Sequence, residues 1–364
     1  MIRVLQVVSG LSGGGVGSTI MNYYKKMSDE FVFDFVVNQK QAGFLESIVV
    51  EKGGIIYEVP PFHEGPIKHI KAIIKTLKKN RKSIIHCNLG EKSVFYLFFS
   101  WLFGYKKRIL HVHSSVRPEK RSERRMRTIL SFFCKIFATD YFACGEEAAK
   151  WFYGYKRQNV FIMRNAIQLS EYSFSEDLRR KYRVKYGLEN KLVIGNVGRL
   201  SPPKNHDYMI NVFQSLIAIN ENACLVLVGA GELEEKIKEK IHSKGIEQSV
   251  LMLGLLDNVN EILNCFDLFL LPSISEGVPV AAVEALANGL VVVCSDSVTK
   301  EIQVRDRVLY LSLKQSPSYW ADAINSLNPQ REIVTTELSR IGFDIDRQVL
   351  ALEKEYLQIR SKSI

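Results

Sequence analysis

The chain has 364 residues, 46% of them hydrophobic and 24% charged, which fits a globular protein of about two domains and excludes a low-complexity or repeat protein. Its six cysteines are scattered through apolar runs without a C-x-x-C pair, so we expect reduced core residues of a cytosolic protein and no structural zinc. The formal net charge of +10 is the compositional outlier, and the basic residues are concentrated in the first half.

The chain opens with a predicted strand and a glycine-rich loop. Residues 1–8 form an apolar run with one charge, too short for a secretory signal, and we interpret them as a first strand. A dinucleotide-binding G-x-G-x-x-G motif that starts at Gly13 would need a glycine where Ser18 stands. A Walker P-loop would need a lysine after Gly17. Both motifs therefore lack a residue that their chemistry requires.

Apolar runs and helical patterns alternate through the rest of the first half. Further strands are predicted at residues 33–37, 55–59, 83–87, 108–112, 141–144 and 160–163. Helices are predicted at residues 20–27, 67–79 and 124–137. Because the strands are continuous apolar runs, we expect a parallel sheet that is covered on both faces.

Residues 93–103 are almost wholly apolar and aromatic. As a helix this segment is about 16 Å long, whereas the hydrocarbon core of a bilayer is about 30 Å thick, so it does not span a membrane. Two interpretations stay open: a buried helix, or a helix with one face in a membrane surface. The second fits the basic residues that follow, namely Lys106, Lys107, Arg108, Arg117, Lys120, Arg121, Arg124, Arg125 and Arg127.

Two pairs of residues resemble metal-binding patterns. His111 and His113 alternate along a predicted strand, but no further ligands stand at a recognisable spacing, so we predict no metal site. A lone histidine at a strand end is often structural, and the residues alone leave the role of His113 open. Asp344 and Asp346 form a D-x-D pair, and their position just before the last helix favours a helix cap.

The second half repeats the alternation of the first. Strands are predicted at residues 192–197, 225–228, 250–253, 268–271, 291–294 and 308–311. We therefore predict an α/β protein with two doubly wound parallel-sheet domains and a boundary near Asn165, Ala166 and Ile167. A helical pattern at residues 348–359 has no strand after it, and we expect this helix to cross back onto the first domain.

A basic turn follows the first strand of the second half. Loops directly after the strands of an open parallel sheet are where ligands are expected. Gly198 and Arg199 begin this turn and Lys204 lies near its end. Arginine can bind a diphosphate through two parallel hydrogen bonds, and lysine acts as a point charge. The alternative is a surface turn with two solvated cations.

A second turn, with two glutamates, follows the fourth strand of the second half. Glu276 precedes a predicted helix at residues 280–287, and Glu284 lies about one turn inside it. We expect Pro279 at the first helical position, with free N–H groups that face phosphate or sugar oxygens. Gly277 lets the backbone come close to a ligand. The alternative is one carboxylate favoured by the helix dipole and one solvent-facing glutamate.

Together these motifs resemble the family-4 retaining glycosyltransferases of the GT-B fold, over essentially the whole chain. The matching features are Gly198-Arg199-Leu200 with Lys204-Asn205, the pair Glu276 and Glu284, and Asn165-Ala166-Ile167, where the family commonly has Asn-Gly and a hydrophobic residue. The resemblance implies two Rossmann-like domains that face each other across a cleft. Residues 1–164, with the helix at 347–364, would bind the acceptor, and residues 165–346 would bind the nucleotide-sugar donor.

The resemblance also implies roles for individual residues. The catalytic residues would be His113, Arg199, Lys204 and Glu276. The residues that bind the donor would be Gly14, Gly15, Gly198, Gly277, Val278, Pro279, Val280 and Glu284. In this scheme Arg199 and Lys204 hold the diphosphate, Glu276 holds the sugar and Glu284 holds the ribose. No metal or other cofactor is expected, because the nucleotide sugar is a substrate.

The reaction implied is transfer of a sugar from a nucleotide diphosphate sugar to a hydroxyl, with retention at the anomeric carbon. Departure of the diphosphate and attack by the acceptor would occur on one face of the sugar, and a donor phosphate oxygen would help to take the proton. The expected donor is a UDP-linked hexose or N-acetylhexosamine, and GDP-mannose is the alternative.

The first half carries a further resemblance. Residues 18–25, 33–37 and 53–57 resemble transferases of bacterial capsule and exopolysaccharide assembly, whose usual acceptors are saccharides linked to a polyprenyl diphosphate, as in O-antigen assembly. We therefore predict a peripheral enzyme at the cytoplasmic face of the plasma membrane, bound to anionic lipid. The alternative from another class is a non-catalytic protein that binds membrane or nucleic acid. No nucleic-acid motif is present, so we expect no nucleic-acid partner.

Overall fold

The structure is a computed structural model that describes residues 1–11, 15–38, 44–81, 83–113, 121–154 and 159–362. The chain divides into two units. Unit 1 consists of Met1–Ala166 together with Ile345–Ile364, and unit 2 consists of Ile167–Asp344. The last helix of the chain therefore belongs to unit 1, as the fold predicted from the sequence requires.

Strands and helices alternate in the part of unit 1 that the structure describes. The strands are β1 (Ile2–Val7), β2 (Phe31–Val37), β3 (Ile56–Glu58), β4 (Ile84–Cys87), β5 (Arg108–Val112), β6 (Asp140–Ala143) and β7 (Val160–Ile162). The helices before the crossing to unit 2 are α1 (Gly15–Lys26), α2 (Phe44–Glu51), α3 (Pro66–Lys79), α4 (Val94–Leu102), α5 (Arg121–Phe137) and α6 (Glu146–Tyr153).

The strands described for unit 1 form one parallel sheet in the order β3-β2-β1-β4-β5-β6-β7. Val4 and Leu5 of β1 are both fully buried, yet they belong to different hydrophobic cores. This follows because successive side chains of a strand point to opposite faces of the sheet. The predicted parallel sheet with two covered faces is therefore confirmed for this unit.

Unit 2 has the same alternation within the described residues. Its strands are β8 (Leu192–Val197), β9 (Ala223–Val228), β10 (Val250–Gly254), β11 (Leu268–Leu271), β12 (Val291–Ser295) and β13 (Val308–Leu311). Its helices are α7 (Glu176–Tyr186), α8 (His206–Ile217), α9 (Glu234–Ser243), α10 (Val259–Ile262), α11 (Val280–Ala287), α12 (Pro317–Asn325) and α13 (Thr335–Arg340). The strands pair in parallel in the order β10-β9-β8-β11-β12-β13.

Both sheets reverse their strand order at one point. In unit 1 the reversal lies between β1 and β4, and in unit 2 it lies between β8 and β11. We call each of these the switch point of its unit. In open parallel sheets a crevice opens at the switch point beyond the carboxyl ends of the strands, and this crevice is where ligands bind.

The last helix, α14 (Ile345–Ser361), packs on the aromatic core of unit 1. The fully buried ring of Tyr356 meets the ring of Phe33 edge to face, with centroids 6.0 Å apart. At the start of the helix, Lys26 Nζ lies 2.7 Å from a carboxylate oxygen of Asp346. The neighbouring Asp344 accepts a hydrogen bond of 2.8 Å from Ser339 Oγ. Both aspartates of the D-x-D pair are therefore bonded to protein groups.

The apolar segment at residues 93–103 forms α4 and has two different faces. Tyr96 and Leu97 are buried, whereas Trp101 and Leu102 near the end of the helix are exposed. The interpretation as a buried helix therefore fits one face, and membrane contact of the exposed face stays a prediction. Arg117 and Lys120 of the basic stretch lie outside the described residues. Over the described part of the chain, no helix has both the length and the apolar character needed to cross a bilayer.

Candidate active site

The two turns singled out in the sequence meet at the switch point of unit 2. The basic turn, residues 198–205, follows β8, and the glutamate turn, residues 272–279, follows the neighbouring strand β11. The backbone N–H of Ile274 donates to the carbonyl of Pro203 at 2.8 Å, and the Asn205 amide donates to the carbonyl of Pro272 at 3.1 Å. These two hydrogen bonds fix the turns against each other.

An ion pair joins the side chains of the two turns. Lys204 Nζ contacts Glu276 Oε1, and the two side chains are only 18% and 16% exposed. Ser273 Oγ donates to the same carboxylate oxygen at 3.2 Å. Partial removal from water strengthens the attraction between the two charges relative to a surface pair. The pair therefore fixes a cation and an anion side by side at the switch point.

Arg199 lies apart from this pair. Its side chain is 69% exposed, and its Nε lies 3.7 Å from a carboxylate oxygen of Glu232. An exposed ion pair of this length contributes little free energy, about 0–1 kcal/mol. Arg199 can therefore exchange Glu232 for an anionic ligand at little cost.

Glycines allow close packing at two positions in and beside the basic turn. A Cβ atom at Gly198 would lie 3.3 Å from Lys204 Cε, so the absence of a side chain leaves room for the lysine. Gly229 has a φ of +135°, and a Cβ there would come within 2.0 Å of the Gly198 carbonyl oxygen. The position of the Lys204 side chain therefore depends on both glycines.

The start of α11 differs by one residue from the prediction. Pro279 is the N-cap, with φ −75° and ψ 108°, and the first helical residue is Val280. The prediction of Pro279 at the first helical position was therefore wrong. Val278 and Pro279 are buried, and Gly277 and Val280 are partly exposed.

Glu284 lies within α11 and is hydrogen-bonded. Tyr172, which ends a short 3-10 helix, donates its hydroxyl to Glu284 Oε1 at 2.9 Å. Burial raises the pKa of Glu284, and the Tyr172 hydrogen bond opposes that rise. The alternative of a solvent-facing glutamate is therefore incorrect. Sequence reasoning missed Tyr172, because it precedes Glu284 by 112 residues and no local pattern links them.

A buried histidine beside the basic turn was also missed. His206 begins α8, two residues after Lys204, and neither of its ring nitrogens has a hydrogen-bond partner among the described residues. Burial, together with the charge of Lys204, lowers the pKa of His206 to about 4. The imidazole is therefore neutral at pH 7.

Unit 1 has a cavity of about 840 Å³ at its own switch point. Ser9 after β1 and Asn88 after β4 line the cavity, and aromatic side chains form much of the wall. The rings of Phe62 and Phe95 stack there with centroids 5.7 Å apart. This cavity is within the size range of small-ligand sites, about 300–1,000 Å³.

His113 lines this cavity directly after β5. Its Nε2 atom lies 3.2 Å from the Asn88 Oδ1 atom. Burial lowers the pKa of His113 to about 3. His113 is therefore a neutral hydrogen-bonding group at pH 7 and not a cation. Within the described residues, no three His, Cys, Asp or Glu side chains are grouped as a metal site would require.

The glycine-rich loop after β1 is described only in part. Gly14 lies outside the described residues, and Gly15 is the exposed first residue of α1. The tightly packed glycine is Gly17, where a Cβ would lie 2.4 Å from the Gly10 carbonyl oxygen. Close packing therefore accounts for Gly17, and the donor contacts expected of Gly14 and Gly15 stay a prediction.

A comparison with protein families finds a match that includes both the glutamate turn and the basic turn. Residues 179–333 match the family Glycosyl transferases group 1, and both turns lie inside that segment. This segment of the chain is therefore similar to the group 1 glycosyltransferases. The finer assignment to the retaining family-4 enzymes stays a proposal.

Similar proteins extend the match beyond residues 179–333. The chain is 29% identical to the putative glycosyltransferase EpsF of Bacillus subtilis, over 97% of this chain and 96% of that protein. It is 23% identical to CapH, a capsular polysaccharide biosynthesis glycosyltransferase of Staphylococcus aureus, over 98% and 99% of the two chains. It is 27% identical to an Escherichia coli UDP-Gal:α-D-GlcNAc-diphosphoundecaprenol α-1,3-galactosyltransferase, over 63% and 62%.

A solved structure supports the fold of the chain. Anabaena HepE, in complex with UDP and glucose, superposes with a TM-score of 0.79 at 17% sequence identity, over 100% of both chains. Such a likeness at low identity is a likeness of fold. The chain therefore has the predicted GT-B fold, with two Rossmann-like parallel-sheet units.

Proposed function

We propose that this protein is a retaining glycosyltransferase that moves a hexose or N-acetylhexosamine from a UDP-sugar to a saccharide carried on a polyprenyl diphosphate. The observation that carries the proposal is the Lys204–Glu276 ion pair. It lies at the switch point of unit 2, inside the segment that matches the group 1 glycosyltransferases. A fixed cation beside a fixed carboxylate suits a ligand that is anionic at one end and rich in hydroxyls at the other.

The donor diphosphate would bind to the basic turn. Lys204 is held in place by Glu276, and Arg199 is exposed and only weakly paired, so it can turn to the phosphates. Two cations at the leaving group stabilise the charge that develops when the sugar departs. These two side chains supply positive charge without a metal ion, and we therefore propose a metal-independent reaction.

The sugar and the ribose would bind to the glutamate turn and to α11. Glu276 accepts hydrogen bonds from Lys204 and Ser273 and is thereby oriented, and it has a second oxygen for a sugar hydroxyl. Glu284, oriented by Tyr172, would accept from the ribose hydroxyls. The backbone from Gly277 to Val280 would contact the sugar beside them.

Retention at the anomeric carbon is proposed with the diphosphate oxygen as the proton acceptor. A carboxylate that would form a covalent intermediate must be free to attack the anomeric carbon. Lys204 and Ser273 engage one oxygen of Glu276, and we assign its second oxygen to a sugar hydroxyl and not to the anomeric carbon. We therefore propose departure of the diphosphate and attack of the acceptor on one face of the sugar.

The choice of UDP rests on the relatives. The HepE structure contains UDP and glucose, and the E. coli relative is named for UDP-galactose. GDP-mannose stays as the alternative donor.

The acceptor saccharide would enter the cavity of unit 1. Its aromatic wall, including Phe62 and Phe95, suits the apolar faces of sugar rings, and Asn88 and His113 supply hydrogen-bonding groups. The E. coli relative acts on a saccharide linked to diphosphoundecaprenol, which is an acceptor of the proposed class.

A membrane-facing surface of unit 1 would bring the enzyme to such an acceptor. One side of α5 exposes an apolar row of five residues, namely Met126, Ile129, Phe132, Phe133 and Ile136. The exposed arginines Arg121, Arg124 and Arg125 lie on the same helix. An exposed apolar stripe beside basic residues is typical of a helix that lies in the surface of an anionic membrane. We therefore propose peripheral binding at the cytoplasmic face of the plasma membrane.

The test is donor hydrolysis and transfer across a panel of nucleotide sugars, with and without a metal chelator. We expect turnover of one UDP-sugar that the chelator does not abolish. We also expect the product to have the same anomeric configuration, axial or equatorial, as the donor. UDP should also raise the melting temperature, because a ligand that binds only the folded state stabilises it. Turnover of GDP-mannose alone would replace the donor assignment. Stabilisation only by oligonucleotides or anionic lipid, with no turnover, would favour the non-catalytic alternative.

A further inference from the structure

A buried chain of polar side chains runs through unit 1 to His113. Its members are Gln6 on β1, His86 on β4, Asn88 just after β4, His111 on β5 and Tyr356 on α14. Each of these five side chains is at most 4% exposed. Burial of this many polar groups is costly unless every hydrogen bond has a defined donor and acceptor. Apart from Asn88, the proposed reaction does not yet use any of them.

One backbone carbonyl fixes the orientation of the two amides in the chain. The side-chain nitrogen of Asn88 lies 3.1 Å from the carbonyl oxygen of His86, which can only accept. The Asn88 amide is therefore oriented with its Nδ2 as the donor, and Nδ2 also donates to Gln6 Oε1 at 2.9 Å. The remaining oxygen, Asn88 Oδ1, must accept from His113 Nε2 at 3.2 Å.

The second arm of the chain starts at the other end of Gln6. Gln6 Nε2 donates to the Tyr356 hydroxyl at 3.0 Å, so the hydroxyl proton points to His86 Nδ1 at 2.7 Å. His86 must then carry its proton on Nε2, which lies 3.0 Å from His111 Nδ1. The ring of His111 in turn packs against the ring of His113, with centroids 3.8 Å apart and the ring planes tilted by 35°. His113 is thus held by a hydrogen bond on one side and by a tilted ring on the other.

We propose that this chain fixes His113 as the neutral Nε2–H tautomer in a single orientation, with Asn88 and Tyr356 as positioning residues for sugar transfer. Asn88 sets the tautomer directly. Tyr356 lies on α14, near the carboxyl end of the chain, and it orients His86 and His111. It thereby fixes the His111 ring, against which the His113 ring packs. This inference rests on the proposed function, in which His113 lies near the transferred sugar.

The arrangement also explains a feature of the fold. The hydrogen bond between Gln6 and Tyr356 joins residues 350 positions apart, and that between His86 and Tyr356 joins residues 270 apart. The return of α14 to unit 1 therefore does more than cover the sheet. It places the Tyr356 hydroxyl beside His86, and this hydrogen bond determines which ring nitrogens of His86 and His111 carry a proton.

The test is nitrogen-15 NMR of the histidine rings in the full-length protein, combined with kinetics. In the wild type we expect His113 with a protonated Nε2 and an unprotonated Nδ1. Asn88→Ala should convert His113 to a mixture of tautomers and lower kcat roughly tenfold to a hundredfold, with little change in the donor KM, because positioning and not donor binding is lost. Asn88→Asp keeps the oxygen that accepts from His113 but loses the two hydrogen bonds that Nδ2 donates, so Nε2 of His113 should stay protonated while the Gln6 arm is disturbed.

Tyr356→Phe separates the two arms of the chain. We expect altered His86 and His111 signals, an unchanged His113 tautomer and a smaller loss of kcat, roughly threefold to tenfold. Tyr105→Phe is the matched control. Tyr105 is also buried in unit 1, and its hydroxyl donates to the Leu77 carbonyl at 2.8 Å, outside the chain. It should leave all three histidines and kcat as in the wild type.

An Nδ1–H tautomer of His113 in the wild type would overturn the inference, as would identical His113 signals in the wild type and in Asn88→Ala. The NMR result does not depend on activity. The expected tautomers in a protein that turns over no nucleotide sugar would therefore refute the proposed function and leave the histidine arrangement standing.

Discussion

Units 1 and 2 reverse their strand order at equivalent points but place different chemistry there. The switch point of unit 2 carries charge, in the Lys204–Glu276 pair and in the nearby Arg199. The switch point of unit 1 carries neutral histidines and aromatic rings around a cavity, whose wall also includes the Arg127–Glu91 ion pair. One topology therefore supplies two chemically different sites, for which we propose a diphosphate in unit 2 and an acceptor sugar in unit 1.

The neutral histidines of unit 1 make the two units respond differently to acid. His86, His111 and His113 in unit 1 have lowered pKa values, and burial is the main cause for each. In unit 2 the described histidine with a lowered pKa is His206. An unfolded histidine has a pKa of about 6.5. The stability that depends on these neutral rings is therefore complete above pH 6.5 and is lost as the pH falls below it.

Each histidine with a lowered pKa reduces the free energy of unfolding as the pH falls from about 6.5 towards its folded pKa. The reduction is up to about 1.4 kcal/mol per pH unit. We expect unit 1, with three, to lose stability faster than unit 2 when the pH falls from 7 to 5. Hydrogen exchange followed separately on the strands of each unit measures this. His63→Gln, at an exposed histidine of unit 1, is the control. If the two units lost stability equally as the pH fell, the prediction that unit 1 depends more on neutral histidines would be wrong.

The charged site of unit 2 predicts the next largest effect, on catalysis. Lys204→Ala and Glu276→Gln should each lower turnover roughly a hundredfold, as the loss of one stabilising group in a transition state does, while the fold survives. Lys240→Ala is a close control in the same unit. Lys240 is 19% exposed and paired with Asp207, whereas Lys204 is 18% exposed and paired with Glu276. Turnover in Lys204→Ala equal to that in Lys240→Ala would contradict the assignment of the donor site.

The strands were well predicted from the sequence, because buried parallel strands are continuous apolar runs. The runs at residues 108–112, 192–197 and 268–271 match β5, β8 and β11 at both ends. The two turns of unit 2 were predicted because their residues follow strands directly, and adjacent strands bring the turns together. Their roles in catalysis stay predictions.

The features that the sequence did not predict depend on distant residues. Tyr172 and Glu284 share no local pattern, and Gln6, His86 and Tyr356 meet only after the last helix returns to unit 1. The exposed apolar row of α5 was missed for another reason. Periodicity reveals that a helix has an apolar side, but not whether that side faces the core or the solvent.

The apolar row of α5 predicts a more moderate effect, on membrane binding. Phe132→Ser together with Phe133→Ser should weaken binding to anionic vesicles roughly tenfold, since each ring would lose part of the roughly 1.5–3 kcal/mol gained by full burial. Vesicle flotation of the full-length protein measures this. Val184→Ser, on α7 of unit 2, is the control, because Val184 and Phe132 are both 60% exposed. A loss of binding in Val184→Ser as large as that in the double variant would place the membrane contact elsewhere.

The smallest effect is expected where a neutral group supports the charged site of unit 2. Tyr172→Phe removes the 2.9 Å hydrogen bond that orients Glu284. A hydrogen bond contributes a net free energy of about 0.5–1.5 kcal/mol, so we expect the donor KM to rise roughly threefold to tenfold while kcat changes little. Tyr208→Phe, whose hydroxyl donates to the Gln315 carbonyl at 2.8 Å, is the control. A fall in kcat at unchanged KM in Tyr172→Phe would mean that Glu284 acts on the reacting sugar and not on the ribose, and the division of roles between the two glutamates would have to be reversed.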